Sequence, residues 1–469
     1  MFVLKNAWLA TRRHPWRAAL TAVIALATTF GTVVSFAVVQ ENATAHGSAY
    51  RTQSATATVR PTAATAATYD GTDAAYTKNY LDWSQYSEYA NAAQQKGIQF
   101  GYTFTEDVPV RQTSKFKAIP GTADASASDT GGELQLRAFY TLQAAQANDW
   151  GRYTVVKGKH LSYAQGVKGA LLSEDLAKKN NLKVGDTFTV AHPNDAKKTV
   201  TLTVRGLYRY NDPAQGTDAK LAKDNRLNAI YVAYPAFAVA GLDPQTGQEA
   251  ADGWAKPDLN IEFQLADPST YQQFAKVVKK AGLPKTHEIS SPTLAAYERS
   301  IEPLAGVAAW MAPARWVLLG VGGALLLALT LLGAWRGRRE EIGFGLTVGA
   351  TKGRLGWQFM LESFMLTLPA FAIGALAGGL SAKPIGAALA AGHGTPVTKD
   401  LMWPVVWWGL GAALVLALAA MLRVATFRTA GLFAGEPGEA AEKHDEEAPS
   451  AGSEPAQDAD DAKEAQMNA

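Results

Sequence analysis

The residues that most often carry chemistry are either absent from this chain or placed too far apart to act together. There is no cysteine, which excludes disulfides, thiolate metal sites and cysteine nucleophiles. The seven histidines are scattered and never stand at metal-ligand spacing. The sequence contains no G-x-S-x-G nucleophile elbow and no phosphate-binding G-x-x-x-x-G-K-[ST] loop; Gly349 to Gly353 only superficially resembles the latter. We therefore expect no catalytic residue, metal or cofactor in this chain, and any ATP must bind to another chain.

Four long apolar runs dominate the sequence instead, and each matches the ~20 residues that a helix needs to cross a bilayer. They predict membrane spans at 18–39, 315–335, 357–380 and 402–422. A cleaved signal peptide is the alternative for the first run, but a signal h-region has only ~7–15 residues, so an uncleaved anchor is favoured. The only acidic residue within a span is Glu362, near one end of the third, which disfavours a proton-driven transporter.

Basic residues crowd one end of every span. By the positive-inside rule those ends lie in the cytoplasm. Both termini are then cytoplasmic, 40–314 is extracellular, and 381–401 is a short extracellular loop in a multi-pass protein of the cell membrane. The residues concerned are Lys5, Arg12, Arg13 and Arg17 before span one, Arg336, Arg338 and Arg339 after span two, Lys352 and Arg354 before span three, and Arg423 and Arg428 after span four.

The segment 40–314 is predicted to form an α+β domain on a helical stalk. Ser173 is expected to cap a helix that ends at Asn180, and the residues that follow predict a hairpin with strands 187–190 and 199–204. Alternating apolar residues predict a strand over 259–265, followed by a helix with Asp267 as its N-cap and Gly282 at its end. Residues 43–68, rich in Ala and Thr, predict a flexible segment. Residues 294–312 predict the stalk helix that enters span two.

The cytoplasmic parts have distinct characters. Residues 1–17 predict a short helix along the inner membrane surface. From Glu436 onwards eleven acidic residues stand against two lysines, so 423–469 is predicted to be an acidic, disordered tail. Between spans two and three, 336–356 is a charged loop that also contains Ile342, Phe344, Leu346 and Val348. Apolar side chains in so short a loop favour contact with a cytoplasmic partner.

This loop carries a specific family resemblance. A basic pair, Glu-Ile-Gly, a short apolar stretch, Gly-Ala-Thr and a Glu-Ser on the next helix resemble the signature of the MacB/FtsX-type ABC transporter permeases. Leu346 and Thr347 depart from the family pattern, which usually has a basic residue and then alanine. Val156 to Leu161, Leu172 to Ala177 and Leu182 to Asp186 are similar to the MacB-like core domain. The matching residues are Arg338, Arg339, Glu341, Ile342, Gly343, Gly349, Ala350 and Thr351 in the loop, and Glu362 and Ser363 in span three.

The resemblance implies partners and a mechanism. Two permease chains, identical or paired, would associate in the membrane lipid, and a dimer of ATPase subunits that bind ATP and magnesium would dock on the 336–356 loop. ATPase motion relayed to the outer domain would export or extrude an amphipathic substrate such as a peptide, drug, lipid or haem. The alternative is FtsX-like mechanotransmission that regulates an extracellular partner such as a cell-wall hydrolase. The outer domain of about 270 residues favours export. No nucleic acid is expected as a partner.

Overall fold

The computed structural model describes residues 7, 9, 11–164, 168–212, 218–243, 252–335 and 339–427. The chain divides into two compact units. One unit consists of residues 1–24, 324–369 and 410–469, and the other of residues 25–323 and 370–409. The predicted acidic tail beyond residue 427, Arg338 and most of residues 1–10 lie outside the described residues.

The helices of the described residues alternate with strands only in the middle of the chain. In chain order the helices are α1 (Pro15–Thr44), α2 (Ala63–Ala66), α3 (Trp83–Gln95), α4 (Ala127–Thr130), α5 (Leu142–Gln146), α6 (Glu174–Lys179), α7 (Tyr234–Val239), α8 (Pro268–Lys280), α9 (Pro292–Trp335), α10 (Arg339–Thr347), α11 (Lys352–Leu389) and α12 (Lys399–Ala425). The strands are β1 (Ala55–Pro61), β2 (Gly101–Val110), β3 (Leu134–Phe139), β4 (Tyr153–Gly158), β5 (Gly169–Ser173), β6 (Thr187–Ala191), β7 (Thr199–Tyr210), β8 (Ala229–Ala233), β9 (Asp258–Leu265) and β10 (His287–Ser290).

Four of these helices, α1, α9, α11 and α12, are long and apolar enough to cross a membrane, as the sequence predicts. Each extends beyond the predicted span. Helix α9 is the longest, because the predicted stalk and the predicted second span form one uninterrupted helix of 44 residues. Between the spans lies the predicted α+β domain, so the fold class is confirmed.

Ten strands of the described residues form one mixed sheet in the order β10-β1-β9-β2-β3-β8-β5-β7-β4, with β6 paired to β7. The pairs β3–β8 and β5–β7 are parallel, and the others are antiparallel. Helices α3 and α8 cover one end of the sheet, where Phe263, Phe274 and Val278 belong to one buried cluster. A second cluster fills the other end, around Leu134, Val204 and Phe237.

The secondary structure of the two segments that were predicted in most detail is confirmed. The Ser173 hydroxyl accepts a hydrogen bond from the Leu176 amide at the start of α6, and β6 and β7 form the expected antiparallel hairpin. Asp267 caps α8 through the amides of Ser269 and Thr270. The helix ends before Gly282, whose φ of +95° is a conformation that favours glycine.

The prediction of a flexible segment at 43–68 is wrong. Helix α1 continues as a π-helical turn over Ala45–Ala49, and β1 then pairs with both β9 and β10. Ala55, Ala57 and Val59 point into the buried cluster beneath α3 and α8. The alternation is present in the sequence, but alanine and threonine are too similar in polarity to reveal it.

The glycine pair of span three marks a close helix contact. A Cβ atom at Gly374 would lie 2.7 Å from the Leu26 carbonyl oxygen, and one at Gly378 would lie 2.9 Å from Cβ of Val33. These distances leave no room for a side chain. The small residues therefore let α11 pack directly against the backbone of α1.

Burial of a carboxyl group in the α+β domain makes the stability of the fold depend on pH. Glu106 on β2 is fully buried; one carboxyl oxygen accepts a hydrogen bond from the Trp83 indole, and the other has no hydrogen-bond partner. Desolvation raises the pKa of Glu106 to about 8. The folded chain then retains a proton that the unfolded chain releases above its ordinary pKa of 4.5. This contribution to stability is complete below pH 4.5 and is lost as the pH rises to about 8.

We therefore expect wild-type protein to lose thermal stability between pH 5.5 and pH 8.5 relative to Glu106→Gln. The neutral amide keeps the shape of the protonated carboxyl group but has no charge to desolvate. The measurement is the midpoint of thermal unfolding of the full chain in detergent at both pH values. A difference between the two proteins that stays constant with pH would contradict the assignment.

Candidate functional site

Helix α10 lies between the second and third spans and has two different faces. Ile342 is only 1% exposed and packs with Leu355 and Phe359 of α11 and with Val424 of α12. Leu346, one turn further along, borders the same buried cluster. These two apolar residues therefore hold α10 against its neighbours. The expectation that Ile342 faces a partner is wrong, because its side chain is used inside the unit.

The other apolar residues of this segment, Phe344 in α10 and Val348 directly after its end, point the other way. Phe344 is 72% exposed and Val348, one turn later, is 71% exposed. Residues two apart on a helix differ in direction by about 200°. Burial of Ile342 and Leu346 therefore forces Phe344 and Val348 outwards. Together they form an apolar stripe, which we call the α10 stripe, beside the exposed residues Thr347 and Lys352.

The charged residues of α10 stand at its beginning. Arg339 is its first residue, and Glu340 and Glu341 occupy its first turn, where the helix dipole favours acids. Glu341 is partly buried and Gly343 is buried. A Cβ atom at Gly345 would lie 3.0 Å from the side chain of Leu355, so α10 approaches α11 closely there.

The Gly-Ala-Thr segment is the joint between α10 and α11. Gly349 has φ +89° and donates its N–H to the Leu346 carbonyl (3.2 Å), while Ala350 donates to the Gly345 carbonyl (2.9 Å). This hydrogen-bond pair is a Schellman motif, and Ala350 supplies its usual apolar contact. Gly349 therefore makes the tight turn that separates the two helices.

Thr351 begins the next helix. Its hydroxyl accepts a hydrogen bond from the Arg354 amide (3.4 Å), as an N-cap residue does. The Lys352 ammonium donates to the Phe427 carbonyl (2.9 Å), just beyond the end of α12. The joint is therefore fixed on both sides. A threonine directly before a helix is an N-cap signature, and this could have identified the role of Thr351 from the sequence.

Glu362 and Ser363, which follow the loop residues in the family signature, lie on α11. They line a separate cleft of about 80 Å³ between α11, α9 and the beginning of α1. Arg17, His14 and Thr330 lie in the same cleft. Within the described part of the chain, no group of three or more His, Asp or Glu side chains is placed to hold a metal ion.

The geometry of the joint leads to a test with two substitutions at one position. Gly349→Val should open the joint, because a β-branched residue at positive φ costs about 1–2 kcal/mol, whereas Gly349→Asn should be tolerated. Nothing lies within 4 Å of the added Cβ, so sterics do not distinguish the two variants. We expect trypsin to cleave at Lys352 or Arg354 about 5- to 30-fold faster in the valine variant. Equal rates in both variants, measured by mass spectrometry of the fragments, would contradict this account of the joint.

Comparison with known proteins matches the same region. Residues 316–427 match the family described as FtsX-like permease C-terminal. The chain is also 24% identical, over 215 residues, to the uncharacterized ABC transporter permease YclI of Bacillus subtilis (strain 168). The match covers 46% of this chain and 42% of that relative, so the chain spans less than half the length of the relative. The resemblance carried by the loop and the third span is confirmed: residues 316–427 are similar to FtsX-like permeases, and the chain is similar to an ABC transporter permease.

Proposed function

We propose that this chain is the membrane subunit that couples a separate ABC ATPase to movement of the outer domain, and that the ATPase docks on the α10 stripe. The observation that carries the proposal is the exposure of Phe344 and Val348 on a helix whose opposite face is fixed. Burial of each of these two side chains in an interface would contribute roughly 1.5–3 kcal/mol to the free energy of binding. ATP and magnesium would bind on the partner, because this sequence has no phosphate-binding loop.

Two features of the chain support the proposal that a displacement of α10 is transmitted to other helices. The joint at Gly349–Thr351 is hydrogen-bonded on both sides, so α10 and α11 should move together. Helix α9 runs without interruption from Pro292, two residues after β10 ends, to Trp335. It therefore connects β10 to the second span as one helix. Pro303 and Pro313 each lack the N–H that a helical hydrogen bond needs, so bending of this helix should concentrate there.

Of the two functions that the family resemblance leaves open, we favour export or extrusion of an amphipathic substrate. The outer domain contains a ten-stranded sheet with its own buried clusters, which is larger than a simple contact module requires. A second permease chain is expected beside this one, as the family resemblance implies. FtsX-like regulation of an extracellular partner is the alternative, and a transport assay on the reconstituted complex distinguishes the two.

The docking proposal is tested by Phe344→Asp combined with Val348→Asp. The double variant should fold, since both side chains are exposed, but should lose at least tenfold in affinity for the ATPase that co-purifies with wild-type protein. Loss of only half the estimated burial energy is enough for that factor. Stimulated ATP hydrolysis should fall in parallel.

Val184→Asp is the matched control, because Val184 is an exposed valine in the outer domain. It should keep wild-type affinity and ATP turnover. If the double variant also retained both, the α10 stripe would not be the docking surface, and the coupling proposal would be wrong.

The proposed orientation is tested with single cysteines, for which the cysteine-free chain gives no background. Thr187 and Thr347 are both exposed threonines, one on β6 and one on α10. In intact cells a membrane-impermeant thiol reagent should label Thr187→Cys but not Thr347→Cys, and both should react after lysis. Labelling of the position-347 variant in intact cells would reverse the orientation.

A further inference from the structure

The cleft that contains Glu362 and Ser363 is lined by none of the α10 residues, and it combines an apolar wall with several polar side chains. It is lined by Thr11, His14, Arg17, Ala18, Thr21, Leu329, Thr330, Phe359, Glu362, Ser363, Leu366 and Ala420. A cation, a carboxylate and several hydroxyl groups thus face one space of about 80 Å³. That space is large enough for several water molecules or one phosphate-sized group.

One buried group in the cleft points to a ligand. Ser363 is only 8% exposed, and its hydroxyl has no hydrogen-bond partner. A buried hydroxyl without a partner costs about 1–3 kcal/mol, so such groups are normally satisfied by a ligand or by water. The neighbouring Thr367 hydroxyl, in contrast, donates to the Ser363 carbonyl.

The remaining polar groups fall into donors and acceptors. The hydroxyls of Thr11 and Thr330 already donate to backbone carbonyls of their own helices, so only their acceptor lone pairs are available. Glu362 adds carboxylate oxygens. Arg17 and the Ser363 hydroxyl can donate. The cleft therefore offers donors to an anion and acceptors to an ammonium group.

The position of the cleft selects the class of ligand. Arg17 directly precedes the predicted first span, and Glu362 is the sixth residue of the predicted third span. Arg17 is therefore at the level of the lipid headgroups, and Glu362 lies about 8 Å deeper, so the cleft extends from the headgroups into the edge of the hydrocarbon. Leu20, one turn after Arg17 on α1, is exposed, as is Val23, so apolar surface for acyl chains adjoins the polar cleft.

We infer that this cleft binds the headgroup of a phospholipid that carries both a phosphate and a primary ammonium group. Arg17 and Ser363 donate to the phosphate, and Glu362 and the threonine oxygens accept from the ammonium. Glu and Ser of the family signature then form a lipid site that is separate from the docking helix. The inference is independent of the proposed ATPase docking, because none of these residues belongs to α10.

The test uses delipidated full-length protein in detergent, titrated with phosphatidylethanolamine, phosphatidylglycerol, phosphatidylcholine or inorganic phosphate. The readout is the midpoint of thermal unfolding. Phosphatidylethanolamine should raise it saturably, and the other three should require at least tenfold higher concentration. Phosphatidylcholine lacks the ammonium hydrogens, phosphatidylglycerol lacks the ammonium group, and inorganic phosphate lacks the acyl chains.

Variants assign the response to the cleft. Arg17→Gln and Ser363→Ala should each weaken the phosphatidylethanolamine response at least tenfold, whereas Glu362→Gln should abolish the preference over phosphatidylglycerol. Arg13→Gln is the control, since Arg13 is exposed and does not line the cleft. Equal responses to all three lipids in wild-type protein, or an equal loss in the Arg13 control, would overturn the inference.

Discussion

The packing of Ile342 against Leu355, Phe359 and Val424 fixes the orientation of helix α10. A helix of nine residues has too few hydrogen bonds to be stable alone, so tertiary contacts must hold it. Once Ile342 and Leu346 are buried, geometry leaves Phe344 and Val348 on the opposite side. The exposure of Phe344 and Val348 is therefore a consequence of the burial of Ile342 and Leu346. A change in the internal cluster would therefore alter the α10 stripe without replacing any of its residues.

The α+β domain is joined to helices α1 and α9 through two neighbouring strands. Helix α1 leads into β1, β10 leads into α9, and these two strands pair with each other in register from Thr58–Ser290 to Pro61–His287. The helices themselves are in contact, since Val38 packs with Ile301 and Leu304, and the Tyr297 hydroxyl donates to the Ala45 carbonyl (2.9 Å). Relative movement of α1 and α9 would therefore act directly on one edge of the sheet. Antiparallel pairing resists separation of its strands along their whole length, so the edge would move as a unit.

The sequence predicts those elements whose conformation is determined by neighbouring residues. It does not predict structure that depends on contacts with residues far away in the chain. The four spans and the β6–β7 hairpin follow from composition and alternation within a few residues. The strand β1 does not, because its register depends on Phe263 and Ser290, more than 200 positions away. The same holds for Ile342: nothing within the loop indicates that Val424 will cover it. Gly349 was predictable, since only a glycine fits easily between two helices at positive φ.

The separation of the family signature into two places has a physical meaning. Gly349 and Ala350 act through backbone hydrogen bonds and Thr351 through its N-capping hydroxyl, and their effect is to set the angle between two helices. Glu362 and Ser363, three turns further along α11, act through side chains that a bilayer would penalise if they faced hydrocarbon. A carboxylate is retained at such a depth only where polar groups or a polar ligand solvate it. Because the joint and the cleft lie on the same helix, a rotation of α11 driven from the joint would also change what the cleft presents to a bound headgroup. Docking and lipid contact would then be linked through one rigid element, without direct contact between the two sites.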